Sequence, residues 1–162
     1  MTGVTAAYHS WPAPARTMAR AVDAAVAAAR AGEVENFTEA TARLVRLDRG
    51  QLTVLLGAVV RDLLEQAHPD GLDADDAEQV LDSCLRAAVW YPQLDRDAMI
   101  HALTGALGVS EVDESTAAGE PAVLLHGLLL IADQLTTLDR ALPPLIEDAL
   151  RELMRDQTVE LP

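Results

Sequence analysis

The segment His68–Glu78, reading HPDGLDADDAE, crowds five carboxylates into nine positions: Asp70, Asp73, Asp75, Asp76 and Glu78. Oxygen-rich loops of this kind bind hard divalent cations such as calcium or magnesium. The spacing departs from the EF-hand loop, whose acids alternate around a central glycine and end on a distant glutamate. A plainer role explains most of the same residues. Gly71 makes a turn, Asp73 caps the following helix, and the acids at 75, 76 and 78 sit near the positive end of its dipole. Capping is therefore the preferred reading, and a divalent-cation-binding helical module is the alternative.

Other reactive residues are thinly spread. His9, His68, His101 and His126 contain no pair at the i,i+4 spacing that would put two metal ligands on one helix face. Asp97 and His101 do have that spacing, which suits a ligand pair or a surface interaction. His126 lies among Leu124, Leu125, Leu128 and Leu129 and reads as a core histidine. Cys84, the only cysteine, falls in the apolar run Val80, Leu81, Leu85, Ala88 and reads as a packed thiol. The chain has no Gly-x-Ser-x-Gly elbow and no phosphate-cradling glycine loop. No catalytic residue and no cofactor is expected on these grounds. The spacing Asp70-Gly71, Asp75-Asp76, Val80-Leu81 resembles the acidic turn of the TerB-like tellurite-resistance helical domains. The likeness is confined to Asp70–Leu81, and the second copy that the family's pattern carries has no counterpart here.

Aromatic residues are scarce: Tyr8, Trp11, Phe37, Trp90 and Tyr91 are all of them. Trp90 and Tyr91 stand together before Pro92, as a partner anchor, a small-pocket wall or a core-edge cluster. Trp11 precedes Pro12 and Pro14 in a segment without helical period, and either anchors a partner or packs back on the domain. Trp11, Trp90 and Tyr91 are thus the candidate partner-binding residues. A small-molecule pocket within the bundle, with or without catalysis, would lie near Trp90, His101 or His126.

These residues must be positioned by helices. Apolar residues recur with a helical rhythm across most of the chain. The pattern predicts helices from about Arg16 to Ala31 and from Asn36, as N-cap with Glu39 in a capping box, to near Gly50. Others follow over Gln51–Ala67, from Asp73 to about Tyr91, and over Asp95–Leu107. The last two run from Pro121 to Leu142 and from Pro144 to Asp156. The sixth is apolar nearly all round between Val123 and Ala132, too short a run to cross a bilayer, and belongs at the centre. The expected organisation is a flexible arm over 1–15, an all-α single-domain bundle of about seven helices over 16–157, and a frayed tail over 158–162. Residues 109–120, polar and small, form the longest connection.

Composition bounds the partners. The net charge is −14. Residues 1–60 carry six arginines against five acids, and the remainder carries six against twenty-one. That balance opposes nucleic-acid binding and docking on anionic membranes, both of which rest on cationic contacts. It suits a basic protein partner, and a homodimer stays open. The lone cysteine and the lack of a charged start followed by an apolar run lead us to expect a cytoplasmic setting. The absence of lysine is the usage of GC-rich coding and suggests a bacterial source. The function expected is a non-enzymatic acidic interaction domain: an adaptor, regulator or accessory subunit.

Overall fold

Strong starts and abrupt stops cut the described residues into seven helices. In the computed structural model, which describes residues 8–108 and 120–160, these are α1 (Ala13–Ala31), α2 (Val34–Leu44), α3 (Arg49–Ala67), α4 (Ala74–Ala87), α5 (Arg96–Leu107), α6 (Pro121–Leu138) and α7 (Leu142–Glu160). Among the described residues there is no strand, and the helices pack as one all-α domain. The connection 109–119, residues 1–7 of the arm, and residues 161–162 of the tail lie outside the described residues.

Several boundaries differ from the sequence pattern, each for a local reason. Helix α1 begins at Ala13, inside the expected arm, because Pro14 occupies its first turn, where no backbone N–H is needed. Helix α2 starts on Glu33, not on Asn36. Gly32 takes the left-handed conformation (φ 66°), and Glu33 N–H donates to the Ala28 carbonyl at 3.0 Å, so the chain has reversed before Asn36 is reached. Asn36 then donates its side-chain amide to Glu33, and Glu39 pairs with Arg43 at 3.0 Å. Helix α2 also ends at Leu44, since Asp48 opens α3 by accepting from Gln51 N–H.

Helix α4 stops at Ala87, short of Tyr91. Pro92 disfavours helical geometry at the residue before it. Ala88–Tyr91 instead closes as a turn, with Tyr91 N–H on the Ala88 carbonyl at 2.9 Å. Helix α6 ends at Leu138, not at 142, because Asp139 is left-handed (φ 52°) and Arg140 N–H reaches back to the Leu135 carbonyl. The prolines at 143 and 144 therefore do not break α6 but fill the first turn of α7. That last helix carries regular backbone through Glu160, into the segment expected to fray.

Helix α6 is the axle of the domain. It packs on α1, α3, α4 and α5, with Leu128, Leu130, Ile131 and Leu135 essentially without exposure. By length and composition it could cross a membrane, but its apolar residues are mostly spent on neighbouring helices. Helix α7 closes over α3, and α2 lies along α1 through the tight Gly32 reversal. Fully burying a Leu, Val or Phe side chain contributes about 1.5–3 kcal/mol, so these shared faces dominate the stability. Arg61 ties α3 to the end of α5 by donating Nε to the Ala106 carbonyl at 3.0 Å.

Candidate functional site

The acidic turn is built as a cap. Asp73 Oδ1 accepts Asp76 N–H at 2.8 Å, and Asp76 Oδ2 accepts Asp73 N–H at 3.1 Å, a reciprocal capping box at the start of α4. Gly71, at φ 104°, supplies the turn before it. Asp70, Asp75 and Glu78 point to solvent. Among the described residues no three His, Cys, Asp or Glu side chains gather in a way that could hold a metal ion. Asp97, in the first turn of α5, offers its N–H to Asp95 Oδ1 at 3.0 Å.

Phe37, Trp90 and Tyr91 share one end of the bundle. Phe37, from α2, is fully buried, with Trp90 at 5.4 Å and Tyr91 at 5.3 Å, both edge-on. Tyr91 in turn meets the His126 ring at 6.0 Å. The turn that ends α4 thus swings Trp90 and Tyr91 inward; Tyr91 is buried and Trp90 half-buried, as a core-edge cluster. Trp11 also lies half-buried against the core. Neighbouring Tyr8 is fully covered, close to the buried Asp23 on α1, although neither its hydroxyl nor Asp23 Oδ2 makes a well-formed hydrogen bond. Burial pushes the Asp23 carboxyl up against the opposing pull of the Tyr8 hydroxyl. Burial, reinforced by Asp23 and Glu147, keeps that phenol protonated.

His126 is a structural joint. Its Nε2 accepts Asp95 N–H at 2.9 Å, and its Nδ1 lies 2.6 Å from the Ala122 carbonyl. A backbone N–H can only donate, so Nε2 is bare and the proton sits on Nδ1. Burial lowers the histidine's pKa, outweighing the Ala122 carbonyl and the Asp95 charge, which act the other way. A neutral His126 therefore holds the start of α5 against α6.

Cys84 is fully buried, and its thiol donates to Asp133 Oδ2 at 3.3 Å, where Ser83 also donates at 2.8 Å. Burial first, and then the Asp133 carboxylate, push the thiol far up. A nucleophile needs the reverse, a base or cation that favours the thiolate. These contacts pin α4 to α6.

Two clefts adjoin the candidate residues. One, of about 140 Å³, lies beside Trp90 and Asp133, with four alanines, Arg30, Leu129 and Thr136 completing its wall. The other, of about 70 Å³, lies between α3, α5 and α6, lined by His101, by Gly57, Gly105 and Gly127, and by Leu56 and Val123 among others. His101 Nδ1 is buried and has no hydrogen-bond partner. Sequence reasoning named His101 as a pocket neighbour but missed the three glycines, which fall on three different helices. Compared with known proteins, the chain matches no family model, no curated protein and no solved structure. The likeness to the TerB-like acidic turn thus stays local to Asp70–Leu81.

Proposed function

We propose that this protein is a non-enzymatic interaction domain, an adaptor, regulator or accessory subunit, that recognises a basic protein partner through the outer face of α4 and the turn before it. The observation that carries this reading is a run of exposed carboxylates without counter-ions. Asp70, Asp73, Asp75, Glu78 and Asp82 are exposed, and the ion pairs among the described residues lie elsewhere, at Glu39–Arg43 and at Arg151 with Glu147 and Asp148. Asp75, Glu78 and Asp82 follow i, i+3, i+7 spacing and share one face of α4. The apolar faces, by contrast, are already spent on one another: Val54, Val89 and Met154 are the large apolar side chains left exposed among the described residues. What the surface has to offer is charge, which steers and selects a cationic partner. The lone buried thiol is at home in a reducing cytoplasm.

The test is fluorescence anisotropy with a labelled arginine-rich peptide. Binding should be evident at about 50 mM salt and lost at about 500 mM, where the Debye length shrinks to a few ångströms. The triple variant Asp75→Asn, Glu78→Gln, Asp82→Asn should lose most of it, while Glu35→Gln, exposed on α2, should not. No binding at low salt, or equal losses in both variants, would refute the reading. The capping geometry gives Asp73 and Asp76 a complete role without a cation. A divalent-ion module would have to show a calorimetric signal with calcium or magnesium that Asp75→Asn removes.

A further inference from the structure

The segment Tyr8–Pro12, ahead of α1, is tied to the bundle. Trp11 N–H donates to the Tyr8 carbonyl at 3.2 Å, which closes a turn. The Arg16 guanidinium reaches back from α1 to the His9 and Trp11 carbonyls at 3.5 and 3.4 Å. Trp11 packs half-buried on the core, and Tyr8 has no exposure at all. Beside Tyr8 stands Asp23 of α1, a carboxyl group only 8% exposed. Acids are rarely buried so deeply without a firm partner. Here Tyr8 Oη and Asp23 Oδ2 are both shut off from water, and neither has a well-formed hydrogen bond. The contact between arm and helix therefore suits a protonated carboxyl group and penalises a charged one.

We propose that Tyr8–Pro12 is a proton-operated strap over the seam of α1 and α7, seated on Asp23 while that carboxyl group is protonated and lifting more readily once it ionises, so that the apolar surface under Tyr8 and Trp11 is bared. Burial sets the direction. It raises the Asp23 carboxyl in the docked state, against the pull of the Tyr8 hydroxyl. Water returns the group to its ordinary value of about 3.9 once the strap lifts. Docking is thus firmest below that value, weakens as pH rises through the docked one, and is level above it. Helix α1 packs on α2, α6 and α7. From α7, half-buried Glu147 faces the pair; with burial and Asp23 it keeps the phenol protonated, so Tyr8 does not titrate in this range. The α6 groups His126 and Asp133 are engaged with Asp95 and with Ser83 and Cys84. The acids of α2 and its Arg43 are exposed, as is His9 on the arm. Arg20 lies about one turn before Asp23 on α1, and Arg16 about two. None of the α4 carboxylates takes part, so this strap and the acidic face stand or fall separately.

The experiment is amide hydrogen exchange of the full chain by NMR, read at Trp11 N–H and divided by the unprotected rate at each pH. Protection at Trp11 should be at least about tenfold weaker than at Leu63, inside α3, because the strap lifts without the bundle opening. It should fall by about fivefold or more between about pH 5 and about pH 7.5. Asp23→Asn keeps the shape without the charge and should flatten that fall. Tyr8→Phe removes the hydroxyl that pulls the carboxyl down, and should make the fall larger than in the wild type. Its effect stands as a test even where Asp23→Asn does not fold. Trp11 protection equal to that of Leu63, a wild type flat with pH, the same fall in Asp23→Asn (which would assign it to His9), or a smaller fall in Tyr8→Phe would each overturn the proposal.

Discussion

His126 couples a proton to the position of a helix. Protonation would place an N–H on Nε2 against the N–H of Asp95, two donors facing at 2.9 Å. Burial holds the folded pKa below the unfolded value of about 6.5. Between those two values the unfolded chain binds more protons, so stability falls as pH drops through that window and levels off below the folded pKa. His126→Phe keeps the bulk against Tyr91 but strands Asp95 N–H, and should cost about 2 kcal/mol near pH 7. Urea unfolding followed at about pH 7 and about pH 5 should show a decline in the wild type that is reduced in the variant. An equal decline in both would move the sensitivity to other groups. The sequence made His126 legible as a core residue through its leucine neighbours. It could not show the Asp95 contact, because that bond joins residues on two helices through a backbone group.

At the level of the helix, the acidic turn separates two roles that composition alone mixes. Asp73→Ala removes the cap that accepts Asp76 N–H and should destabilise the protein by about 1 kcal/mol. Asp75→Asn, exposed and outside the reciprocal pair, should change stability by less than about 0.5 kcal/mol. Thermal melts of the two variants check this; equal losses would mean that the turn is stabilised by its summed charge and not by the cap. The stripes of α3 and α4 were readable because their buried positions repeat every three or four residues, and α6 because it is apolar nearly all round. Asp73 and Asp95 were readable as helix starts because their chemistry is local. The misplaced boundaries came from residues with two valid uses. Pro143 and Pro144 can end one helix or begin another, and Asn36 can cap or sit one turn inside. The glycine-lined cleft was not readable, since it exists only where α3, α5 and α6 cross.

Over the whole molecule, the charge is lopsided. Residues 61–162 hold all of the excess acid, and the ion pairs among the described residues lie within single helices at the surface. Exposed pairs of that kind contribute little. Self-repulsion should therefore lower the stability of the folded state at low ionic strength, and added salt should relieve it. We expect Tm to rise between about 20 mM and about 300 mM sodium chloride. A Tm that falls over that range would mean that favourable charge contacts outweigh the repulsion. Under the proposed function, the same asymmetry would set the direction from which a cationic peptide arrives.

Because Cys84 is the chain's one sulfhydryl and is shut between two helices, the protein contains its own tracer of breathing. An alkylating reagent such as iodoacetamide can reach that sulfur only when the helix carrying it lifts away from its support. Modification of the native chain should run about a thousandfold or more slower than in strong urea. The rate under native conditions would then time how often the bundle comes apart, with no added label.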